Sequence, residues 1–253
     1  MNEFDELIAA AAAQPFAGWD FTYIQDRFHE ADPPWSYRQL VTEAMAGVTA
    51  MLDMGTGGGE FLSSLAPFPP LTCATEAYPP NIPVARARLE PLGVQVFPID
   101  GDDTLPFADG QFDLVINRHE SYSPMELWRI VKPGGRVLTQ QVGDTNDNDL
   151  NRLLGAPLPT ADSPWNLAYA AAQMSAAGFT IAQAEEAFPP VTIYDVGAIV
   201  YYLKAIPWQI PDFDAAAYRS QLLTLHQQIQ VAGPLRLSSH RFYFIADKPR
   251  PGL

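Results

Sequence analysis

The sequence predicts an α/β protein with a doubly wound, Rossmann-like, mainly parallel seven-stranded sheet and helices on both faces. Strand-like and helix-like segments alternate from about residue 36 onward. The segment FDLVIN is apolar almost throughout, as in a strand that is buried on both faces. A glycine-rich turn, GTGGG, follows the first predicted strand of the sheet. A turn of this kind allows a ligand to approach the backbone closely.

Seven segments have the composition and length of strands of this sheet. They are residues 50–54, 71–76, 94–99, 112–117, 136–142, 179–183 and 240–246. The helices between them are predicted from their start and stop residues. Ser36 with Gln39, and Ser123 with Glu126, form capping boxes. KPGG ends the second of these helices, and a Ser163-Pro164 pair predicts a further helix start.

A length of 253 residues suits one α/β domain with an elaboration. We assign residues 38–188 and 237–249 to the α/β core of this domain and residues 1–37 and 189–236 to a helical, aromatic-rich cap. The longest apolar run, residues 7–13, is too short to cross a bilayer and follows acidic residues, so neither a membrane span nor a signal peptide is expected.

The composition narrows the classes of partner. The chain has 15 basic and 29 acidic residues and a net charge of −14, which makes a nucleic-acid partner a poor expectation. The single cysteine, Cys73, allows no internal disulfide and no cysteine-built metal site. We therefore expect a cytoplasmic protein that binds a small molecule, with no metal, no membrane and no nucleic acid among its partners.

The spacing of the glycine run separates the ligand classes that bind such turns. No lysine follows the glycines, which excludes a phosphate-binding P-loop. A dinucleotide fingerprint needs a third glycine where this chain has Glu60 or Leu62. Asp53 precedes the turn, so the site suits a ligand with cationic and hydroxyl groups, such as S-adenosylmethionine. Glu76 ends the next strand and can accept from ribose hydroxyls, as in NAD sites also.

Four motifs in this order resemble the class I S-adenosylmethionine-dependent methyltransferases. They are LDMGTGGG, ATEAY, DGDDTLPFADGQFDLVINRHE and LWRIVKPGGRVL, over roughly residues 50–140. The resemblance implies S-adenosylmethionine as cofactor and S-adenosylhomocysteine as product. It implies that Glu76 binds the ribose and that the loop before Leu105-Pro106-Phe107 borders the adenine. Many relatives have an aspartate where this chain has Gly101, so Asp100 or Asp102 takes that place.

The complete set of cofactor-binding residues that the resemblance implies follows the carboxyl ends of the strands. It consists of Asp53, Gly55, Thr56, Gly57, Gly59, Glu76, Ala77, Asp100, Gly101, Asp102, Asn117 and Arg118.

His119 is the candidate catalytic residue, because a histidine after the fourth strand of the core can take a proton near neutral pH. The alternative is a loop histidine that hydrogen-bonds Glu120. A base is optional in any case, since the donor is already activated and alignment supplies much of the acceleration. Arg118 could bind a substrate carboxylate or be a solvated loop charge.

Aromatic residues of the cap are predicted to form a lid over the site. The eight residues are Trp19, Phe21, Tyr23, Trp35, Tyr194, Tyr201, Tyr202 and Trp208. The candidate substrate residues are Trp19, Tyr23, Trp35, Tyr122, Tyr201 and Trp208. The alternative is that these aromatics only pack helices onto the sheet. We expect a methyltransferase for a small or medium-sized acceptor; the alternatives are an RNA or protein methyltransferase and a non-catalytic regulator that binds S-adenosylmethionine.

Overall fold

The computed structural model describes residues 2–16, 21–160 and 163–250. The strands are β1 (Phe28–Glu30), β2 (Ala50–Met54), β3 (Leu71–Glu76), β4 (Gln95–Pro98), β5 (Phe112–Arg118), β6 (Val131–Val142), β7 (Thr180–Ala187), β8 (Pro190–Ile193), β9 (Leu235–Ser238) and β10 (Arg241–Asp247). The helices are α1 (Glu3–Ala13), α2 (Tyr37–Ala44), α3 (Glu60–Ser63), α4 (Asn81–Leu89), α5 (Pro124–Ile130), α6 (Asn148–Leu154), α7 (Leu167–Ala176), α8 (Val196–Ala205) and α9 (Arg219–Ala232).

The predicted fold class is confirmed by a seven-stranded sheet in the order β4-β3-β2-β5-β6-β10-β7. The pairs β2–β3, β3–β4, β2–β5 and β5–β6 are parallel. The chain moves outward from β2 through β3 to β4 and then returns to the other side of β2 with β5. This reversal makes a crevice at the carboxyl ends of β2 and β5, where open α/β sheets bind ligands. Every residue of β2 is buried, as a central strand requires.

Two of the predicted boundaries are wrong in detail. The strand expected from Arg136 begins at Val131, which pairs with Phe112 before a register shift, so KPGG ends α5 but lies inside β6. Helix α7 starts after Asn166, whose side chain accepts from the Tyr169 amide, and not at Ser163. A side-chain amide oxygen can cap a helix in place of a serine hydroxyl oxygen, because either one accepts from a free backbone N–H group of the first turn.

The predicted capping box at the start of α5 is also absent. Ser123 occupies the N-cap position but its side chain makes no capping bond, whereas Ser36 caps α2 as predicted. Glu126 turns to other partners: it accepts from the Leu105 amide and pairs with Arg129. The charge-assisted bonds to arginine are stronger than the neutral bond that a capping box would supply.

The chain divides into two compact units. Unit 1 comprises Met1–Pro33, Asp144–Pro164 and Ala187–Arg241, and unit 2 comprises Pro34–Gly143, Trp165–Glu186 and Phe242–Leu253. The sequence analysis placed residues 144–164 in the core, whereas their contacts group them with unit 1. Unit 1 also contains an antiparallel sheet in the order β1-β8-β9 that was not predicted. Strands of three or four residues are too short to show a period in the sequence.

Unit 1 has an apolar core of its own, formed mainly by α8, which is buried on nearly all sides, and by the residues that pack against it. In unit 2 the apolar core includes both β2 and β5 together with residues of α5, α7 and β10. No helix within the described ranges is long and apolar enough to cross a membrane.

Asp113 joins the amino ends of three central strands of unit 2. One of its carboxylate oxygens accepts from the Thr49 amide and hydroxyl and from the Ala50 amide, and the other pairs with Lys132 at 2.9 Å. Partial burial alone would raise the pKa of Asp113, but these hydrogen bonds outweigh it and lower the pKa to about 2. The carboxylate therefore stabilises the folded state when it is ionised.

We expect Asp113→Ala to lower the free energy of unfolding by about 1–3 kcal/mol at neutral pH, the range for hydrogen bonds to a charged group. Because the folded pKa lies below the unfolded one, this contribution is present above pH ~4 and is lost as the pH falls through about 2. Urea unfolding at a series of pH values measures it. Asp109→Asn, which alters an exposed ion pair, is the control and should change stability little. Equal effects of the two variants would contradict this account.

Candidate functional site

The glycine turn follows β2 directly and adopts the backbone that the sequence requires. Gly55, Gly57 and Gly59 have φ values of 66°, 62° and 81°, in the left-handed region that glycine adopts without strain. The turn is tied to β3, since the Thr56 amide donates to the Thr75 carbonyl at 2.9 Å. A Cβ at Gly57 would meet no atom within 4 Å, so the space beside this backbone is open to a ligand.

Gly59 allows two helices to pack closely. A Cβ at this position would lie 2.8 Å from Cγ of Leu89, which is buried in α4. The glycine therefore lets the start of α3 approach α4 closely. Glu60, the residue that follows the turn, forms an ion pair with Arg88.

Two carboxylates are buried beside the turn. Asp53, at the end of β2, and Glu76, at the end of β3, are both 4% exposed. Burial raises the pKa of Asp53 to about 7; Thr56 and Arg118 oppose the rise, and Glu76 adds to it. One oxygen of Glu76 accepts from the Tyr78 amide at 2.7 Å. A buried acid with a raised pKa is destabilised as an anion, so a cationic ligand would be favoured here.

Two further acidic residues approach the turn from the loops that follow β4 and β5. The Glu120 side chain lies against Gly55, where a Cβ would meet it at 2.5 Å. Glu120 Oε1 accepts from the Ser121 amide at 3.1 Å, and the Ser121 hydroxyl hydrogen-bonds Asp102. Burial is the main cause that raises the pKa of both Glu120 and Asp102. Sequence reasoning missed Glu120, except as a partner for His119, because nothing in its spacing distinguishes it.

Asn117 fixes the loop that carries these groups. Its side chain is fully buried, and its carbonyl oxygen accepts from Gln141 Nε2 at 2.8 Å and Thr139 Oγ1 at 3.2 Å. Its amide nitrogen donates to the Ser121 carbonyl at 3.2 Å. Gln141 also donates to the Glu120 carbonyl. The side chain of the predicted cofactor residue Asn117 therefore acts inside the protein, on the neighbouring strand and the loop.

His119 has a left-handed backbone, with φ of 63°, which is uncommon for a residue with a side chain. Its amide donates to the Gln140 carbonyl at 2.8 Å, and its ring Nε2 lies 3.1 Å from Gln140 Nε2. Trp35 Nε1 donates to the other end of the same glutamine, Oε1, at 2.8 Å. The side chain is exposed, so it can reach a ligand, and neither Trp35 nor Gln140 had been predicted in this role. Two glutamines in succession within an apolar strand are the signal that could have indicated it.

Arg118 is also exposed, and its guanidinium stacks over the Phe61 ring at 5.3 Å. The neighbouring carbonyl of Asn117 accepts from the Tyr37 hydroxyl at 2.9 Å. Among the remaining predicted cofactor residues, Ala77, Asp100 and Gly101 are exposed. They follow the ends of β3 and β4, at the same edge of the sheet as the glycine turn.

The segment Leu105–Phe107, which follows the loop expected to border an adenine, is held by an ion pair. Glu126 accepts from the Leu105 amide at 2.6 Å, and Arg129 donates to the carbonyls of Leu105 and Phe107. Arg129 also binds the Glu126 carboxylate, so one pair satisfies several backbone groups of this segment. Positions 126 and 129 lie one helical turn apart, which is a pattern that sequence reasoning could have used.

The candidate substrate residues lie in different places. Trp19 lies outside the described residues. Tyr23 and Tyr201 pack together in unit 1, with ring centroids 4.8 Å apart, and Tyr201 is only 2% exposed. Trp208 is 59% exposed, and Trp35 belongs to unit 2. The prediction that these aromatics line a substrate cavity stays a prediction.

The other members of the predicted lid lie in unit 1. The Tyr202 ring packs at a tilt against Phe21 and Phe28, and its hydroxyl donates to Asp147 at 2.9 Å. Tyr194 is 45% exposed. Half of the eight aromatics therefore pack with one another inside unit 1, and the lid itself stays a prediction.

Comparison with known proteins identifies the class. Residues 52–139 match a family model described as a methyltransferase domain. A putative methyltransferase from Bacillus halodurans has a TM-score of 0.61 at 18% identity, covering 85% of this chain and 99% of that one. Geranyl diphosphate methyltransferase, solved with S-adenosylmethionine, has a TM-score of 0.51 at 14% identity, covering 83% and 84%. The 4+2 cyclase SpnF has a TM-score of 0.55 at 17% identity, covering 98% and 93%. No curated protein matches significantly.

The fold is that of these Rossmann-like methyltransferases. Residues 52–139 match a methyltransferase domain, as the four motifs indicated, and S-adenosylmethionine is the cofactor that this match and the neighbour solved with it support. The matched region contains the glycine turn, the buried carboxylates and the loop with His119. It ends at Thr139, just before the glutamine that binds His119.

Tyr122 is the one candidate substrate residue whose hydroxyl is buried and without a hydrogen-bond partner among the described residues. Its ring packs against Trp165 and Phe244, and burial raises its pKa. An unpaired buried hydroxyl destabilises the free protein, which is a cost that a ligand could offset.

We expect Tyr122→Phe to raise the free energy of unfolding of the free protein by about 1–3 kcal/mol, because it removes this unpaired group. Tyr37→Phe is the matched control. Its hydroxyl donates to the Asn117 carbonyl, so the same change should lower stability by about 1 kcal/mol. Urea denaturation measures both, and a loss of stability in Tyr122→Phe would show that the hydroxyl has a partner in solution.

Proposed function

We propose that the protein transfers a methyl group from S-adenosylmethionine to a small or medium-sized acceptor. The observation that carries the proposal is the set of four acidic residues around the glycine turn, two of them almost fully buried. S-adenosylmethionine has a sulfonium, an ammonium group and ribose hydroxyls, which are the groups that carboxylates bind. The residues present therefore fit this cofactor, whereas a pyrophosphate would be repelled.

In this proposal each part of the site has a separate task. The backbone of the glycine turn, with Asp53, binds the methionine end, and Glu76 accepts from the ribose hydroxyls. The loop with Asp100, Gly101 and Asp102 borders the adenine. When bound, the cofactor supplies an electrophilic methyl group, and the protein has mainly to align the acceptor with it.

Two groups in the loop after β5 are proposed to face the acceptor. Arg118, exposed beside the turn, can pair with a carboxylate of the acceptor. His119 lies next to Arg118 in the chain. Its role as a general base stays a prediction from the sequence. Tyr122, with its buried hydroxyl, belongs to the same loop. The cytoplasmic location expected from the composition also stays a prediction.

A macromolecular acceptor and a non-catalytic role remain as alternatives. The net charge of −14 disfavours RNA, and a small acceptor is supported by the neighbour that methylates geranyl diphosphate. One neighbour of this fold is named as a cyclase, so the fold by itself does not fix the reaction. Incubation with methyl-labelled donor and size-fractionated cell extract distinguishes these possibilities. Label in the small-molecule fraction supports the proposal, and no transfer supports a binding protein.

We expect the protein to bind S-adenosylhomocysteine and not NAD in calorimetry. Glu76→Gln should weaken this binding by about 1–3 kcal/mol, because a charge-assisted bond to a ribose hydroxyl becomes a neutral one. The control is Glu185→Gln, an exposed residue on the edge strand β7 at the other end of the sheet order. Tight NAD binding without a signal for S-adenosylhomocysteine would overturn the cofactor assignment.

Binding should also depend on pH through Asp53. The cationic ammonium group favours the carboxylate form, so binding releases a proton where Asp53 is protonated in the free protein. Because its pKa is about 7, affinity for S-adenosylhomocysteine should fall as the pH drops below that value. Calorimetry at pH 6 and 8, in buffers with different ionisation enthalpies, measures the affinity and the proton release. Asp53→Asn should remove both effects, and their persistence in this variant would assign them to another group.

A further inference from the structure

Three side chains of unit 2 form a hydrogen-bonded chain that ends at His119. Trp35 Nε1 donates to Gln140 Oε1 at 2.8 Å, and Gln140 Nε2 lies 3.1 Å from His119 Nε2. An indole N–H can only donate, so the amide must turn its oxygen towards Trp35. Its NH₂ group, which can only donate, then faces the histidine. With the ring in this orientation, His119 Nε2 is therefore an acceptor, because the indole fixes the orientation of the amide.

This arrangement determines the protonation state of the ring. A histidine whose Nε2 accepts a hydrogen bond is neutral and carries its proton on Nδ1. The first two members of the chain are held firmly, because Trp35 is 9% and Gln140 5% exposed. The Gln140 carbonyl also accepts from the His119 amide at 2.8 Å, so one residue holds both the backbone and the ring of the histidine.

We propose that Trp35 and Gln140 are positioning residues that hold His119 as its Nδ1–H tautomer. His119 then donates a hydrogen bond to the methyl acceptor and does not remove a proton from it. This inference rests on the proposed methyl transfer. It also narrows the acceptor to molecules with a hydrogen-bond acceptor, such as a carboxylate or carbonyl oxygen, near the atom that is methylated.

A general-base role would require the Nε2 lone pair to be released. Gln140 would have to rotate, and its oxygen would then leave the Trp35 indole N–H, which is largely buried and could not easily find water. Both hydrogen bonds of the chain would be lost together. The donor role needs no such rearrangement, because it leaves the chain intact.

Nuclear magnetic resonance of the full-length protein with ¹⁵N-labelled histidine tests the tautomer, and the His119→Asn variant assigns the signals. In the wild-type protein we expect the His119 proton on Nδ1. In Gln140→Glu the carboxylate can only accept, so Nε2 should gain a proton. In Trp35→Phe the amide can turn over, so both tautomers should appear. A wild-type proton on Nε2, or variants that leave the tautomer unchanged, would overturn the proposal.

Binding of S-adenosylhomocysteine to the same samples separates this proposal from the function on which it rests. We expect Gln140→Glu and Trp35→Phe to bind it within a few-fold of the wild-type affinity, which also shows that they are folded. If no sample binds it, the wild type included, the proposed function fails while the tautomer result stands. A variant that alone fails to bind would show that Trp35 and Gln140 shape the cofactor site itself, against the proposal.

Two substitutions of His119 distinguish a donor from a base. Asparagine and glycine both tolerate the left-handed backbone at φ of 63°, so neither adds strain. Asparagine keeps an N–H donor, whereas glycine removes the side chain. Transfer of label into extract should stay within a few-fold of wild type for His119→Asn and fall about tenfold for His119→Gly, the loss of about one hydrogen bond in the transition state. Equal loss in both variants would indicate a base and overturn the donor role.

Discussion

The buried amide of Asn117 is the constraint on which the candidate site depends. A buried polar group has to be satisfied, and this side chain satisfies its oxygen from β6 and its nitrogen from the loop after β5. The loop is therefore fixed to the neighbouring strand at the point where the sheet opens. Glu120, His119 and Arg118 owe their places to this attachment. A loop held only by its own backbone would not keep three functional groups at one edge of the sheet.

The site concentrates negative charge where burial makes charge costly. Asp53 and Glu76 are almost inaccessible, and the raised pKa of Asp53 shows that the free protein does not compensate its charge fully. Such a site is less stable without a ligand than an apolar one would be. This is the usual exchange of stability for function, since the same uncompensated charge favours a cationic ligand. Asp113 lies at the opposite, amino ends of the central strands. Its carboxylate accepts several hydrogen bonds and therefore contributes stability.

Sequence patterns predicted the fold well wherever a segment was long enough to show a period. The apolar β5 and the glycine turn after β2 lie where they were expected. Patterns failed where competing partners decided the outcome. Ser123 has the sequence of a helix cap, yet Glu126 serves Leu105 and Arg129, residues that the sequence does not show to be neighbours. The short strands of unit 1 were not predicted for a different reason: three or four residues are too few to show an alternating pattern.

The sequence by itself determined the class of the protein, because a glycine turn with acidic residues at fixed spacing restricts the ligand whatever surrounds it. It also predicted that His119 lies near that ligand, since the residue follows a central strand. Only the tertiary structure decided what His119 can do. Trp35 and Gln140 are separated by 105 positions in the chain, and their hydrogen bond fixes the proton on the histidine ring. A tautomer depends on the partner of each ring nitrogen, and that partner is defined only when distant strands and loops have packed together.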